Sequence, residues 1–114
     1  MTEHDWRVRV DDILEAIQKI QRYLEGMSRE TFAADGRTAD AVVRNLIVIG
    51  EAARYMPPAV ETRFPSIPWA KMRGLRNVVV HDYAGVDLDI VWETCQSDLP
   101  PLVPLLHELL SAGA

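Results

Sequence analysis

The sequence predicts an all-α protein, an antiparallel bundle of four to five helices. Three observations predict it. Apolar residues recur at spacings of three and four over long stretches, the period of one helix face. Glycine and proline sites divide these stretches with short connectors, which favours antiparallel neighbours. The one β-branched run, Val78-Val79-Val80, has no second strand-like segment to pair with.

The first helix is expected from about Trp6 to Leu24. Val10, Ile13, Ile17, Ile20 and Leu24 form its apolar face, and Gly26 closes it. Ser28 to Phe32 starts a short turn, and Asp35-Gly36 reads as a loop. A second helix is expected from about Thr38 to Met56, with Val42, Leu46, Ile49, Ala53 and Met56 inward. Pro57-Pro58 ends it, because the residue before a proline avoids the helical region. A helical turn fits Ala59 to Arg63. The third helix is expected from Trp69 to about His81, with Met72, Leu75, Val78 and Val79 on its apolar side and a stop at Ala84-Gly85. Asp87 caps a fourth, whose inward side is read as Ile90, Val91, Cys95 and Leu99. Pro100, Pro101 and Pro104 interrupt it. A last helix begins near Pro101, since proline is tolerated in a first turn, and carries Leu102, Leu105, Leu106, Leu109 and Leu110.

With 114 residues, 48% of them hydrophobic and 25% charged, the chain is read as one ordered domain over 1–114. Twelve bases against 17 acids give a net charge of −5, which disfavours a surface that binds polyanions throughout. A single cysteine, Cys95, excludes an intrachain disulfide and fits a reducing, cytoplasmic setting. No signal peptide and no run of about 20 apolar residues is present, so no membrane role is expected. His4, His81 and His107 are scattered without metal-ligand spacing, and neither a phosphate-cradling glycine loop nor a nucleophile elbow occurs. No metal and no cofactor is expected.

The charge is uneven. Residues 62–81 hold Arg63, Lys71, Arg73 and Arg76 and no acid, while the other 94 residues hold 8 bases and 17 acids. Inside this window begins Arg76-Asn77-Val78-Val79-Val80-His81-Asp82-Tyr83, a cation, an amide, an imidazole and a phenol within eight residues. On a straight helix Arg76 and His81 lie about 140° apart around the axis. Their side chains can curl together across Asn77 and Val80, or a two-fold dimer can bring two copies around one cleft. Val80, and Val48 and Tyr55 on the stripe Arg44-Val48-Glu51-Tyr55, are candidate dimer contacts. Imidazole passes protons near neutrality and guanidinium holds phosphate, so the pair suffices for RNA cleavage through the ribose 2′-hydroxyl without a metal. Plainer readings stand beside this one. His81 also fits a helix-end histidine favoured by the dipole, Arg76 a surface ion pair, Tyr83 a helix-end tyrosine, and Glu51 a solvated charge.

Arg-x4-His-x-Tyr, here Arg76, His81 and Tyr83, resembles the signature of HEPN domains of the HepT type, toxins of toxin–antitoxin pairs. The resemblance extends to Ile67-Pro68-Trp69, Met72 to Asn77, Ile49-Gly50-Glu51-Ala52, Val86-Asp87, Val91-Trp92 and Leu99-Pro100. It covers nearly the whole chain. It implies a helical bundle that forms homodimers with the motif lining a shared cleft, and a metal-independent endoribonuclease toxin of a type VII-like pair. By matching position, His81 would be the acid or base, Arg76 would hold the scissile phosphate, and Asn77 would orient one of them. The antitoxin implied is a minimal nucleotidyltransferase that transfers AMP from ATP to Tyr83. Phosphates added there compete for Arg76 and block RNA entry. Glu51 is expected to support Arg76 or tune His81. Lys71 and Arg73 are expected to guide the RNA backbone, and Trp69 to anchor the helix start.

Two other readings fit the same residues. One is a non-catalytic nucleotide-binding or scaffolding partner of a minimal nucleotidyltransferase. The other is a plain helical dimerisation module.

Overall fold

The computed structural model describes residues 4–80 and 87–112. These form an all-helical bundle: α1 (His4–Leu24), α2 (Arg29–Ala34), α3 (Gly36–Arg54), α4 (Pro58–Arg63), α5 (Trp69–Val80), α6 (Leu88–Glu93) and α7 (Leu102–Ala112), with a π-helical turn (Thr94–Asp98) continuing α6. None of the described helices is long and apolar enough to cross a membrane.

Helix α3 is the centre of the bundle and packs against both α1 and α5, while α7 closes on α1. The stripes expected for the two long helices are buried. Val10, Ile13 and Ile17 on α1 and Val42, Leu46 and Ile49 on α3 are all fully enclosed. Each such side chain stabilises the bundle by about 1.5–3 kcal/mol through burial. Leu99, Leu106 and Leu109 complete this core from the C-terminal end.

The helix ends follow local chemistry. Gly26 adopts φ 78°, a left-handed conformation that glycine takes without penalty, and α1 ends there. Ser28 and Thr31 form a capping box on α2: the Thr31 N–H donates to Ser28 Oγ (3.1 Å) and the Ser28 N–H to Thr31 Oγ1 (2.8 Å). Asp87 caps α6, its Oδ1 accepting from the backbone N–H groups of Asp89 (3.0 Å) and Ile90 (3.3 Å). Pro104 sits in the first turn of α7, where its missing N–H leaves no helical bond unmade.

Two expectations are corrected. Asp35-Gly36 is a junction rather than a loop. The Asp35 N–H donates to the Phe32 carbonyl, ending α2, and its side chain accepts from the Thr38 N–H, starting α3. Ile90, expected inward, is 49% exposed. α6 packs instead through buried Val91 and through Trp92, whose ring lies 5.6 Å from that of Phe32 in α2. The face beside Ile90 is clasped by Arg29, which reaches Asp89 (3.3 Å) and Glu93 (2.9 Å). The expected stop at Ala84-Gly85 lies outside the described residues.

Candidate functional site

Helix α5 is positioned from its first residue. Trp69 is buried and its indole N–H donates to the Phe64 carbonyl at 3.1 Å. It anchors the helix start, as expected. Met72 and Leu75 follow at helical spacing and are also buried. With that side pinned, Lys71, Arg76 and Asn77 are left exposed and Arg73 half-buried.

The four bases of the acid-free window do not stay free. Arg76 Nε lies 3.0 Å from Glu51 Oε1 of α3. Arg73 Nη1 donates to Glu61 Oε2 of α4 at 2.8 Å. Lys71 Nζ lies 3.8 Å from Asp98 Oδ1 in the π-helical turn. The Arg63 guanidinium sits over the Phe64 ring at 5.4 Å. Acids from three other elements therefore temper a charge concentration that the linear sequence shows undiluted.

Glu51 is the hub. Besides Arg76 it meets Arg54, one turn away on the same helix, whose Nη1 is 3.4 Å from both carboxylate oxygens. Arg54 was not singled out from the sequence, although the Glu-x-x-Arg spacing on a helix was a usable signal. The Arg76 side chain remains 47% exposed, so the pair adds little stability, about 0–1 kcal/mol. Its effect is orientation: one edge of the guanidinium is held, and the planar fork suits a phosphate oxygen pair. Asn77 follows Arg76 on the exposed side of α5. His81 and Tyr83, and the side chains of Val78, Val79 and Val80, lie outside the described residues.

On the same stripe of α3, Val48 is half-buried and Tyr55 is 48% exposed. The Arg9 guanidinium of α1 lies 4.6 Å from the Tyr55 ring centroid, a contact between distant residues that no local pattern announces. Val48 also borders a shallow groove with Asp40, Val43, Arg44 and Ile47. Cys95 is buried among apolar groups, and burial pushes its thiol up to about 12.

A family profile described as ribonuclease HepT-like matches residues 13–109. A protein of Thermococcus cleftensis named probable ribonuclease HepT is 38% identical over 93 residues, 82% of this chain and 84% of the relative. A Methanocaldococcus jannaschii protein with a provisional RNase name is 32% identical over 102 residues, 90% of this chain and 94% of the relative. A second protein from that organism, also with a provisional RNase name, is 32% identical over 110 residues, 96% of this chain and 91% of the relative. No solved structure matches.

Proposed function

The chain belongs to the HepT-like ribonuclease family, and on that premise we propose that it is a metal-independent endoribonuclease toxin silenced by a nucleotidyltransferase antitoxin. The observation that carries the proposal is the family match over residues 13–109, which spans the complete Arg76, Asn77, His81, Tyr83 constellation. The Arg76 guanidinium, 47% exposed and paired with Glu51, supports it.

In this reading His81 takes the proton from a ribose 2′-hydroxyl. The 2′-oxygen attacks the adjacent phosphorus and the bond to the 5′-oxygen breaks. That oxygen takes up a proton, leaving a 2′,3′-cyclic phosphate and a 5′-hydroxyl end. Arg76 holds the phosphate and balances the charge that develops on it. Asn77 orients His81 or the phosphate. Lys71 and Arg73 contact the RNA backbone, each exchanging the carboxylate it now holds for a phosphate. Two copies of the chain form a homodimer with the motif in a shared cleft. The antitoxin silences it when the Tyr83 hydroxyl attacks the α-phosphorus of ATP, releasing pyrophosphate and leaving AMP on the ring. The added phosphate then competes for Arg76. The chain acts in the cytoplasm.

The test is expression of the chain alone from a tight promoter, beside His81→Ala and Arg76→Ala. Growth arrest with RNA cleavage in the unmutated chain only is expected. Intact RNA and normal growth, with folded protein present, would favour the non-catalytic partner of a nucleotidyltransferase. Tyr83→Phe is expected to stay toxic beside the antitoxin; gain of AMP mass on that variant would move the modification elsewhere.

A further inference from the structure

Helices α3 and α5 come close together at Gly50. A Cβ added to Gly50 would lie 3.0 Å from the Arg76 backbone nitrogen, 3.1 Å from Arg76 Cβ and 3.4 Å from the Arg73 carbonyl oxygen. Two of these atoms are backbone and the third is fixed directly to it. None is the far end of a side chain that could swing away, so an added Cβ would have to push the two backbones apart by a few tenths of an ångström. Glycine at this position is therefore what allows α5 to lie as close to α3 as it does. The very next residue, Glu51, carries the carboxylate that sits 3.0 Å from Arg76 Nε.

These facts belong together. A guanidinium and a carboxylate on two helices meet in a given orientation only if the two backbones are at the right separation and height. Gly50 sets that separation at Arg76 itself, not at a neighbouring core residue. The glycine of α5 makes a contrast: a Cβ on Gly74 would meet nothing within 4 Å.

We propose that Gly50 is a positioning residue for Arg76, fixing the approach of α5 so that the Arg76 guanidinium is held on Glu51 and aimed at the substrate phosphate. The last clause rests on the ribonuclease reading. The geometric part does not. Gly50 touches no substrate and acts only through Arg76.

The experiment compares the full chain with Gly50→Ala and Gly74→Ala. Crystal structures of each give the Arg76 Nε to Glu51 Oε1 distance. Melting temperature and steady-state cleavage of an RNA oligonucleotide are measured in parallel. Gly50→Ala is expected to separate the pair and to lower kcat by about tenfold or more with KM altered much less, since small misplacements of a catalytic group cost rate steeply. Gly74→Ala is expected to leave both the pair and kcat unchanged. An unaltered pair distance in Gly50→Ala overturns the proposal. So does a separated pair with full kcat, which would reduce Gly50 to a packing residue that moves the melting temperature alone. If Gly50→Ala does not fold, a second variant is used: Glu51→Asp, which keeps Gly50 and shortens the carboxylate's reach to Arg76, is expected to reproduce the kcat loss at native melting temperature. Full kcat in that variant overturns the proposal. If the unmutated chain cleaves no RNA, the ribonuclease reading fails while the crystallographic distance still decides the positioning claim.

Discussion

The Nε of Arg76 lies 3.0 Å from the Oε1 of Glu51, joining α5 to the central helix of the bundle. Arg54 approaches the same carboxylate at 3.4 Å. One acid thus serves two guanidinium groups, and its removal acts on both.

Glu51→Gln keeps the shape of the side chain and removes its charge. Arg76 then loses the partner that orients it, while the local charge becomes more positive. The expected result is a fall in kcat of about tenfold, equal to about 1.4 kcal/mol of transition-state stabilisation, with KM for RNA unchanged or lower. The melting temperature should move little, because exposed ion pairs contribute about 0–1 kcal/mol. Steady-state kinetics with calorimetry decide it. A raised KM at constant kcat would make Glu51 a substrate contact instead.

Lys71 and Arg73 differ in how firmly they are already held. Lys71 sits 3.8 Å from Asp98, whereas Arg73 makes a 2.8 Å hydrogen bond to Glu61 with both side chains about two-thirds covered. Removing a phosphate contact lowers the slope of log affinity against log salt by about 0.7 for single-stranded nucleic acid. Lys71→Ala is expected to show that change without loss of stability. Arg73→Ala is expected to change the slope less and to lower the melting temperature. Titrations of a fluorescent RNA at several salt concentrations, with melting curves, measure both.

The double cap at Asp35 has a pH signature. Hydrogen bonds from the Thr38 backbone N–H and hydroxyl hold its carboxyl below the ordinary value of 3.8. A depressed acid contributes stability above its unfolded value and loses it as pH falls through the folded one. Asp35→Ala should therefore lower the melting temperature at pH 7 by a few degrees. That difference should shrink as pH drops below the ordinary carboxylate range. A difference that persists unchanged in acid would mean the cap acts without its charge.

Cys95 has its thiol raised from 9.0 to about 12 by burial. The folded chain should resist alkylation at pH 8 and become reactive on unfolding, because the thiolate is the nucleophile. In the linkage sense the buried neutral thiol favours the folded state fully below about 9. That contribution is lost as pH rises from there toward 12, since the unfolded chain ionises first. Mass spectrometry after iodoacetamide treatment with and without denaturant tests the first point.

Much of the fold was legible because its causes lie within a turn or two of chain. The stripe Val10-Ile13-Ile17 buries itself once a helix forms, Gly26 stops that helix, and Asp87 starts another from its own side-chain oxygen. The Asp35 junction reads as a loop in the sequence because Asp-Gly is a turn signal on its own. Only the two flanking helices make it a shared cap. Ile90 was misplaced because α6 is short and its apolar residues leave the inward face ambiguous until Phe32 and Trp92 meet.

The sequence alone determined that the chain is helical, where its long helices run, and that one segment gathers a cation, an amide, an imidazole and a phenol. Periodicity, capping and composition are local quantities and need no neighbour to be read. The tertiary structure decided which acid each base of that segment meets: Glu51 for Arg76, Glu61 for Arg73, Asp98 for Lys71. It also brought Gly50 of α3 so near α5 that an added Cβ would lie 3.0 Å from the Arg76 backbone nitrogen. Such contacts depend on the separation of two helix axes, which is set by the packing of the whole core and is written in no single stretch of chain.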